Sequence, residues 1–203
     1  MADAIEAMRR LVDEASGCRS CPLANTRTHV VVGEGAVPSD LMIIGEGPGA
    51  REDELGRPFV GRSGALLDRL IHEELGRTRA ETYIANVVKC RPPNNRDPLP
   101  EEMDACAPWL DRQLRLVAPR VIVLLGRIAV GRILGTKASL SSLRGQRFFM
   151  DSSMQRPEDG SAIVIPTYHP AYALRGGSAR LTEMRVDFAR ARLILMGGDG
   201  ANA

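Results

Sequence analysis

Long apolar runs are absent from this 203-residue chain. Its longest strongly aliphatic stretch, Val121–Leu125, is far too short to span a bilayer, which needs about 20 such residues. The N-terminal segment MADAIEAMRRLVDEA carries charge throughout, so it lacks the apolar core of a secretion signal. We therefore expect a cytoplasmic protein with no membrane partner.

Net charge, lysine and aromatic residues are also scarce. The 27 Lys and Arg against 25 Asp and Glu give a net charge of +2, so no strong overall field favours nucleic acid or an acidic membrane. Lys89 and Lys137 are the only lysines, and the other basic residues are arginines, whose rigid fork matches phosphate. An arginine-rich proteome explains that bias equally well. Because aromatics make up 4% of the chain, an aromatic residue in a loop is informative.

The size and composition indicate one folded domain over residues 1–203. A chain of this length buries roughly 70% of its unfolded surface, and 44% hydrophobic residues exclude disorder and collagen-like structure. The final segment GGDGANA predicts a disordered tail over residues 197–203.

Four cysteines are too few for a disulfide-stapled miniprotein, and a cytosolic chain of this length does not need disulfides. Metal binding is the better hypothesis. Cys18 and Cys21 form one close pair, whereas Cys90 and Cys106 are scattered. Structural zinc sites most often use two close pairs, so the spacing favours an iron–sulfur cluster without deciding between the two. Four buried thiols without a ligand are the remaining alternative.

Four short runs rich in β-branched residues alternate with stretches of helical periodicity. This alternation predicts an α/β fold with right-handed crossovers and a parallel sheet covered on both faces. The strands are predicted at 41–44, 83–88, 121–125 and 163–165, and accessory strands at 28–32 and 147–150. The helices are predicted at the N-terminus before Gly17 and at 63–75, 100–117, 126–134 and 179–196.

Two glycine-rich segments imitate nucleotide-binding loops. The GEGPG segment at 45–49 is like a dinucleotide fingerprint, but Pro48 and the polar residues after it are expected to postpone the helix that receives the pyrophosphate. The segment GRPFVGRS at 56–63 fits a phosphate-binding loop with arginine at the lysine position. Ten residues separate Gly45 from its first residue, Gly56, whereas a true phosphate loop follows its strand directly. Nucleotide hydrolysis is therefore a weak third hypothesis.

The loops that follow three of the predicted strands carry long motifs: GEGPGAREDELGRPFVGRSG, YIANVVKCRPPNNRDP and YHPAYALR. Together they resemble the family 4, iron–sulfur-containing uracil-DNA glycosylases, over most of the chain from Cys18 onward. The resemblance implies a three-layer α/β/α sandwich around a four-stranded parallel sheet. It implies a structural [4Fe-4S] cluster held by Cys18, Cys21, Cys90 and Cys106. It also implies a monomer that removes uracil from single- or double-stranded DNA and leaves an abasic site.

Excision of a base requires that the base leave the stack and enter a pocket that reads its edge. Phe59 lies in a glycine-rich loop and is expected to stack on uracil, unless it packs under that loop. Asn86 ends the second strand, and its amide can accept from uracil N3–H and donate to O4, although a turn or cap is the common use of asparagine. Gly47 and Pro48 are expected to line the pocket through their backbone.

The uracil leaves as an anion, so a donor is needed where negative charge develops. The resemblance implies that His169, in the H-P motif, supplies this hydrogen-bond donor. The resemblance also implies that Glu46 and Glu52 are the active-site carboxylates that act on water or on the cationic sugar, with no division of roles between them. Glu52 could instead be a solvated charge within REDE.

The segment after His169 resembles the part of the family that enters DNA. Leu174 is expected to be the apolar wedge, with Arg175 beside it, and Arg62 and Arg91 to contact phosphates. The alternative function is a non-catalytic iron–sulfur or zinc module that binds nucleic acid. The combination of Phe59, Asn86 and His169 argues against it, because binding alone does not require a base-reading pocket.

Overall fold

A computed structural model describes residues 2–150 and 162–197. The helices are α1 (Ala2–Ser16), α2 (Ala50–Leu55), α3 (Arg62–Glu73), α4 (Pro100–Val117), α5 (Arg127–Leu134), α6 (Leu140–Leu143) and α7 (Pro170–Leu195). The strands are β1 (Leu41–Gly45), β2 (Tyr83–Asn86), β3 (Val121–Leu125), β4 (Phe148–Phe149) and β5 (Ile163–Thr167). Short 3-10 helices cover Pro22–Asn25, Arg79–Glu81 and Pro93–Asn95. Apart from Gly197, the tail expected to be disordered lies outside the described residues.

The strand order in the sheet is β2-β1-β3-β5-β4. The first four strands are parallel, which confirms the predicted four-stranded parallel sheet. A fifth strand corrects the count, because β4 adds to the edge in antiparallel orientation, with Phe148 opposite Val164. This strand lies within the accessory segment predicted at 147–150. The other accessory strand, predicted at 28–32, was wrong. Its Val31 amide donates to the Lys89 carbonyl, 2.7 Å away, but the segment forms no ladder.

The two faces of the sheet carry separate apolar cores. In β1, Met42 and Ile44 face one core together with α1 and α4, whereas Leu41 and Ile43 face the other together with α3 and α7. This alternation follows from the two-residue period of a strand, and every β1 residue is buried because helices cover both faces. Each fully buried Leu or Ile contributes about 1.5–3 kcal/mol relative to exposure. The result is the predicted three-layer α/β/α sandwich.

The helices differ from prediction in two places that bear on function. The closing helix, predicted from residue 179, begins at Pro170 and contains a break at Gly177, where φ is 74°. Helix α2 was not predicted, and it begins immediately after Gly49, so Pro48 does not postpone the helix as expected. Among the residues described, no helix combines the length and apolar character that crossing a membrane requires.

Candidate active site

A cavity of about 550 Å³ opens at the carboxyl ends of the parallel strands. Loops after β1, β2 and β5 form its wall, as expected for ligand sites in open α/β sheets. The structure brings together every residue predicted to bind the base. These are Glu46, Gly47, Pro48, Glu52, Phe59, Asn86 and His169.

Phe59 reaches the floor of this pocket from a left-handed backbone conformation with φ of 51°. A bulky residue at such an angle is strained by about 1–2 kcal/mol, so the surroundings must hold it there. Arg79 does so by donating to the carbonyls of Pro58 and Phe59. Gly45 gives the ring its space, since a Cβ there would lie 2.5 Å from Phe59 Cζ. The ring is buried, and its centroid lies 5.8 Å from that of the His169 imidazole.

Glu52 organises the loop that carries Phe59. Its Oε1 accepts from the amides of Val60 at 3.0 Å and Gly61 at 3.1 Å, and its Oε2 accepts from the amide of Gly49 at 3.2 Å. Both carboxylate oxygens therefore bond to the backbone. Glu52 is half-buried, so it is not one of the solvated charges of its segment.

Asn86 carries an unpartnered acceptor into the pocket. The residue is 2% exposed, and its Oδ1 is buried with no hydrogen-bond partner among the residues that the structure describes. An unsatisfied buried polar atom costs about 1–3 kcal/mol, which a ligand donor at this point would recover. Gly45 again permits the arrangement, because its Cβ would lie 2.5 Å from Asn86 Oδ1.

His169 is the N-cap of α7, and its Nδ1 accepts from the Ala171 amide at 3.2 Å. Because Nδ1 accepts, the proton of the neutral ring resides on Nε2. Burial, reinforced by Arg175, lowers the pKa of His169 to about 4. The ring is therefore neutral at physiological pH and presents one N–H donor.

The Glu46 carboxyl is perturbed by its own burial and by two neighbouring charges. Burial, together with the nearby Asp97 carboxylate, raises the pKa of Glu46 to about 6, and Arg127 opposes this shift. Asp97 and Arg127 form an ion pair of 2.6 Å. The backbone carbonyl of Glu46 accepts from the Val88 amide at 3.1 Å, which fixes the strand end from which the carboxyl projects.

A second, much smaller cavity of about 10 Å³ is lined by Cys18, Cys21, Cys90 and Cys106. All four thiols are free. Two of the sulfurs accept hydrogen bonds, Cys90 Sγ from Arg27 Nη1 at 3.4 Å and Cys106 Sγ from the Lys89 amide at 3.3 Å. Within residues 2–150 and 162–197, no group of three or more His, Cys, Asp or Glu side chains is arranged as a metal-ion site. Residues remote in sequence nevertheless converge at this cavity.

The chain resembles known proteins over most of its length. A profile described as "Uracil DNA glycosylase superfamily" matches residues 32–192. A Type-4 uracil-DNA glycosylase of Thermotoga maritima is 46% identical over 87% of this chain and 88% of its own length. One from Sulfurisphaera tokodaii is 40% identical over 93% of this chain and 84% of its own. The chain belongs to this superfamily, in the type-4 group. A Type-5 uracil-DNA glycosylase of Thermus thermophilus is less similar, at 33% identity over 78% of this chain.

The residues expected to contact DNA in this type-4 family member fall into two groups. Arg62 and Arg175 line the pocket. Leu174 and Arg91 do not line the pocket. Leu174 is exposed, as a wedge must be. Arg91 donates a hydrogen bond to Asn95 Oδ1 at 2.8 Å.

Sequence reasoning missed several positions. Asp97 and Tyr172 also line the pocket, and Arg79 positions the Phe59 loop. Glu52 was predicted as an active-site carboxylate, but its hydrogen bonds to this loop were not foreseen. Asp97 and Tyr172 stand inside the quoted motifs, so their place after β2 and β5 was a usable signal. The hydrogen bonds of Arg79 depend on tertiary structure and leave no sequence pattern.

Proposed function

We propose that the protein is a DNA-repair glycosylase that accepts a flipped uracil in the 550 Å³ pocket and hydrolyses its N-glycosidic bond. The products are free uracil and an abasic site. The observation that carries this proposal is the unpartnered Oδ1 of Asn86 in a pocket that also holds the neutral ring of His169. One group can read a base edge, and the other can stabilise a departing anion.

Base recognition is assigned to Asn86 and Phe59. Asn86 Oδ1 accepts from uracil N3–H, and the amide nitrogen donates to O4. Cytosine has an acceptor at N3 and a donor at its exocyclic amine, so both hydrogen bonds are lost. Phe59 stacks on the face of the base, while the backbone of Gly47 and Pro48 closes the pocket around it.

His169 and Glu46 are assigned the chemistry. The C1′–N1 bond breaks with its electron pair going to uracil, and His169 Nε2–H donates to O2, where negative charge develops. A neutral donor is effective because it transfers no proton yet favours the anion. The Glu46 carboxylate stabilises the cationic sugar and orients the water whose oxygen bonds to C1′. Glu46 accepts the proton that this water loses, and the proton then passes through solvent to the uracil anion, which leaves as neutral uracil. Glu52, whose oxygens are both occupied, acts as a positioning residue for the Phe59 loop.

Contacts to DNA are assigned to the rim of the pocket. Arg62 and Arg175 lie beside the opening, where they can bind the phosphates that flank the flipped nucleotide. Arg91 extends this set along the β2–α4 connection. Leu174 is exposed in the segment before the break at Gly177, and it fills the space that uracil vacates. We propose that the protein acts in this way as a monomer, on single- or double-stranded DNA.

The four cysteines are proposed to hold a [4Fe-4S] cluster. They fit it because four free thiols line one cavity, and because donors from Arg27 and the Lys89 amide stabilise negative charge on sulfur. When bound, the cluster supplies iron–thiolate bonds that join the start of the chain to the β2–α4 connection. Hydrolysis requires no electron transfer from it. Iron and acid-labile sulfide in the purified protein would support this assignment, whereas zinc without sulfide would contradict it.

Uracil release from labelled oligonucleotides is the direct test. We expect cleavage of uracil in single- and double-stranded substrates, and hypoxanthine and thymine mismatches define the substrate range. Asn86→Asp replaces the amide donor by a carboxylate and should lower kcat/KM by about 5–150-fold, from the loss of about 1–3 kcal/mol of base recognition. Asn94→Asp, at an exposed position outside the pocket, is the matched control. Binding of uracil-containing DNA without any release would instead favour the non-catalytic module.

A further inference from the structure

Tyr172 is an exposed aromatic side chain at the lip of the active-site pocket. It lines the cavity, yet it is 43% exposed. The whole chain contains only four Phe, three Tyr and one Trp, so an aromatic ring left open to solvent at this position calls for an explanation. Tyr172 lies three residues after His169, in the first turn of α7.

The Tyr172 ring is supported from the protein side. Its centroid lies 5.1 Å from that of Tyr168, at an interplanar angle of 43°. The Arg180 guanidinium lies 5.8 Å from the Tyr172 ring and 5.3 Å from the Tyr168 ring, and it donates to the Tyr168 hydroxyl at 3.3 Å. Arg144 covers Tyr168 at 4.5 Å. The exposed ring is therefore placed on a rigid, cation-supported base and does not need to be ordered when a ligand arrives.

We propose that Tyr172 is a second base-binding subsite, on which the nucleobase adjacent to the flipped uracil stacks. This inference rests on the proposed function, because the neighbouring base lies at this lip only when uracil occupies the pocket. Every nucleobase offers a π-face, so such a platform tolerates any sequence. Arg62 and Arg175, at the same opening, are assigned to the flanking phosphates, which leaves the face of the neighbouring base to Tyr172.

The subsite has a functional consequence for single-stranded DNA. In a duplex, the neighbour of a flipped base keeps its pairing partner and much of its stacking. In a single strand, that neighbour has only the protein to stack on. Tyr172 therefore contributes more to excision from single strands than from duplexes.

Single-stranded oligonucleotides with one uracil test this subsite directly. The neighbour on the 5′ or the 3′ side is either a normal base or an abasic spacer. With normal neighbours, Tyr172→Leu should lower kcat/KM by about 5- to 150-fold, which corresponds to the loss of about 1–3 kcal/mol from one base–aromatic stack. When the contacted neighbour is a spacer, the same substitution should have little effect. Tyr172→Phe keeps the ring and should retain wild-type activity on all substrates.

Two controls separate this subsite from general damage. Phe149→Leu removes another exposed ring, 59% exposed on β4 at the far edge of the sheet, and should leave kcat/KM unchanged. Inhibition by free uracil should be equal in wild type and Tyr172→Leu, because the base pocket is intact.

Three results would overturn the subsite: no loss in Tyr172→Leu, an equal loss on base and spacer substrates, or an equal loss in Tyr172→Phe. Failure of wild type to release uracil would overturn the proposed function instead. In that case, fluorescence anisotropy with the same oligonucleotides still decides whether Tyr172 binds the neighbouring base.

Discussion

The base pocket and the cysteine cavity lie at the two ends of one short stretch, residues 86–90, yet they are built in opposite ways. The pocket has a volume of about 550 Å³ and contains a neutral histidine, a carboxyl with a raised pKa and a buried acceptor that has no partner among the described residues. The cavity measures about 10 Å³, and Cys90 and Cys106 already accept hydrogen bonds there. Groups left unsatisfied indicate a ligand that comes and goes, whereas satisfied groups indicate permanent structure.

Lys89 connects these two regions. It is 1% exposed, and its Nζ donates to the Asn86 carbonyl at 2.7 Å while its amide donates to Cys106 Sγ. Burial lowers the pKa of Lys89 to about 8. If the two regions have separate roles, substitutions in the pocket should abolish chemistry and leave the cluster and most of the stability intact, and substitutions in the cavity should do the reverse.

The largest effect is expected for His169→Ala. Loss of the Nε2–H donor removes the group that stabilises the uracil anion, and kcat should fall about 10²–10³-fold, as for loss of one oxyanion-hole donor. Single-turnover cleavage of a uracil oligonucleotide measures it. Iron content should not change. Loss of the N-cap hydrogen bond to the Ala171 amide should cost about 1 kcal/mol and lower Tm by about 2–4 °C. His72→Ala, at an exposed position of α3, is the control. A loss below about tenfold would contradict the role assigned to His169.

The pocket should also impose a pH dependence through Glu46. Its pKa is raised to about 6, so the ionised carboxylate is lost as the pH falls below that value. We expect kcat/KM to fall by about tenfold per pH unit there. His169, with a pKa of about 4, stays neutral over this range and therefore does not contribute to the fall in kcat/KM.

Glu46→Gln separates the contribution of Glu46 to the pH dependence from that of His169. The variant should be slower and show a flat profile between pH 4.5 and 7, whereas Glu54→Gln, exposed on α2, should keep the wild-type curve. Persistence of the acid limb in Glu46→Gln would assign it to another group.

The elements that the sequence could predict are those with a clear local pattern. The four parallel strands and α4 follow from buried β-branched runs and from a helix bounded by Pro100 and Val117. Helix α2 escaped because six residues show no usable periodicity and because Glu52 and Asp53 hold it through tertiary hydrogen bonds. The start of α7 escaped because Gly176 and Gly177 resemble a terminator, whereas the chain continues as helix on both sides of the break.

At the site, residues inside motifs could be predicted, and residues that support them could not. Asn86 ends β2 and His169 lies two residues after β5, so their convergence is a consequence of the parallel sheet. The separation of Glu46 from Glu52 required the hydrogen bonds to Val60 and Gly61, because six positions of sequence contain no information about which carboxylate bonds to the backbone.

Cys106→Ser tests the structural role of the cysteine cavity. Serine is a poor ligand for iron, so the variant should lose iron and sulfide. Loss of the cross-links should cost at least about 2 kcal/mol of the free energy of unfolding, a fall in Tm of about 4–8 °C. Thermal unfolding and metal analysis measure both. Glu46→Gln, in the pocket, is the control that should keep its iron and Tm. Full iron content and an unchanged Tm in Cys106→Ser would contradict the structural assignment.

Lys89→Met has the smallest expected effect, and it tests whether the Lys89 side chain supports the base pocket or the cysteine cavity. Methionine fills a similar volume but cannot donate to the Asn86 carbonyl, so the strand end that presents Asn86 loses one restraint. We expect about tenfold weaker inhibition by free uracil and a raised KM with little change in kcat, which corresponds to loss of about 1.5 kcal/mol from one charged hydrogen bond. Lys137→Met, at the other lysine of the chain, which is exposed, is the matched control. Retention of iron together with weaker uracil binding would assign the Lys89 side chain to the base pocket. Loss of iron with unchanged uracil affinity would assign it to the cysteine cavity, and Lys89 would then not be a positioning residue for Asn86.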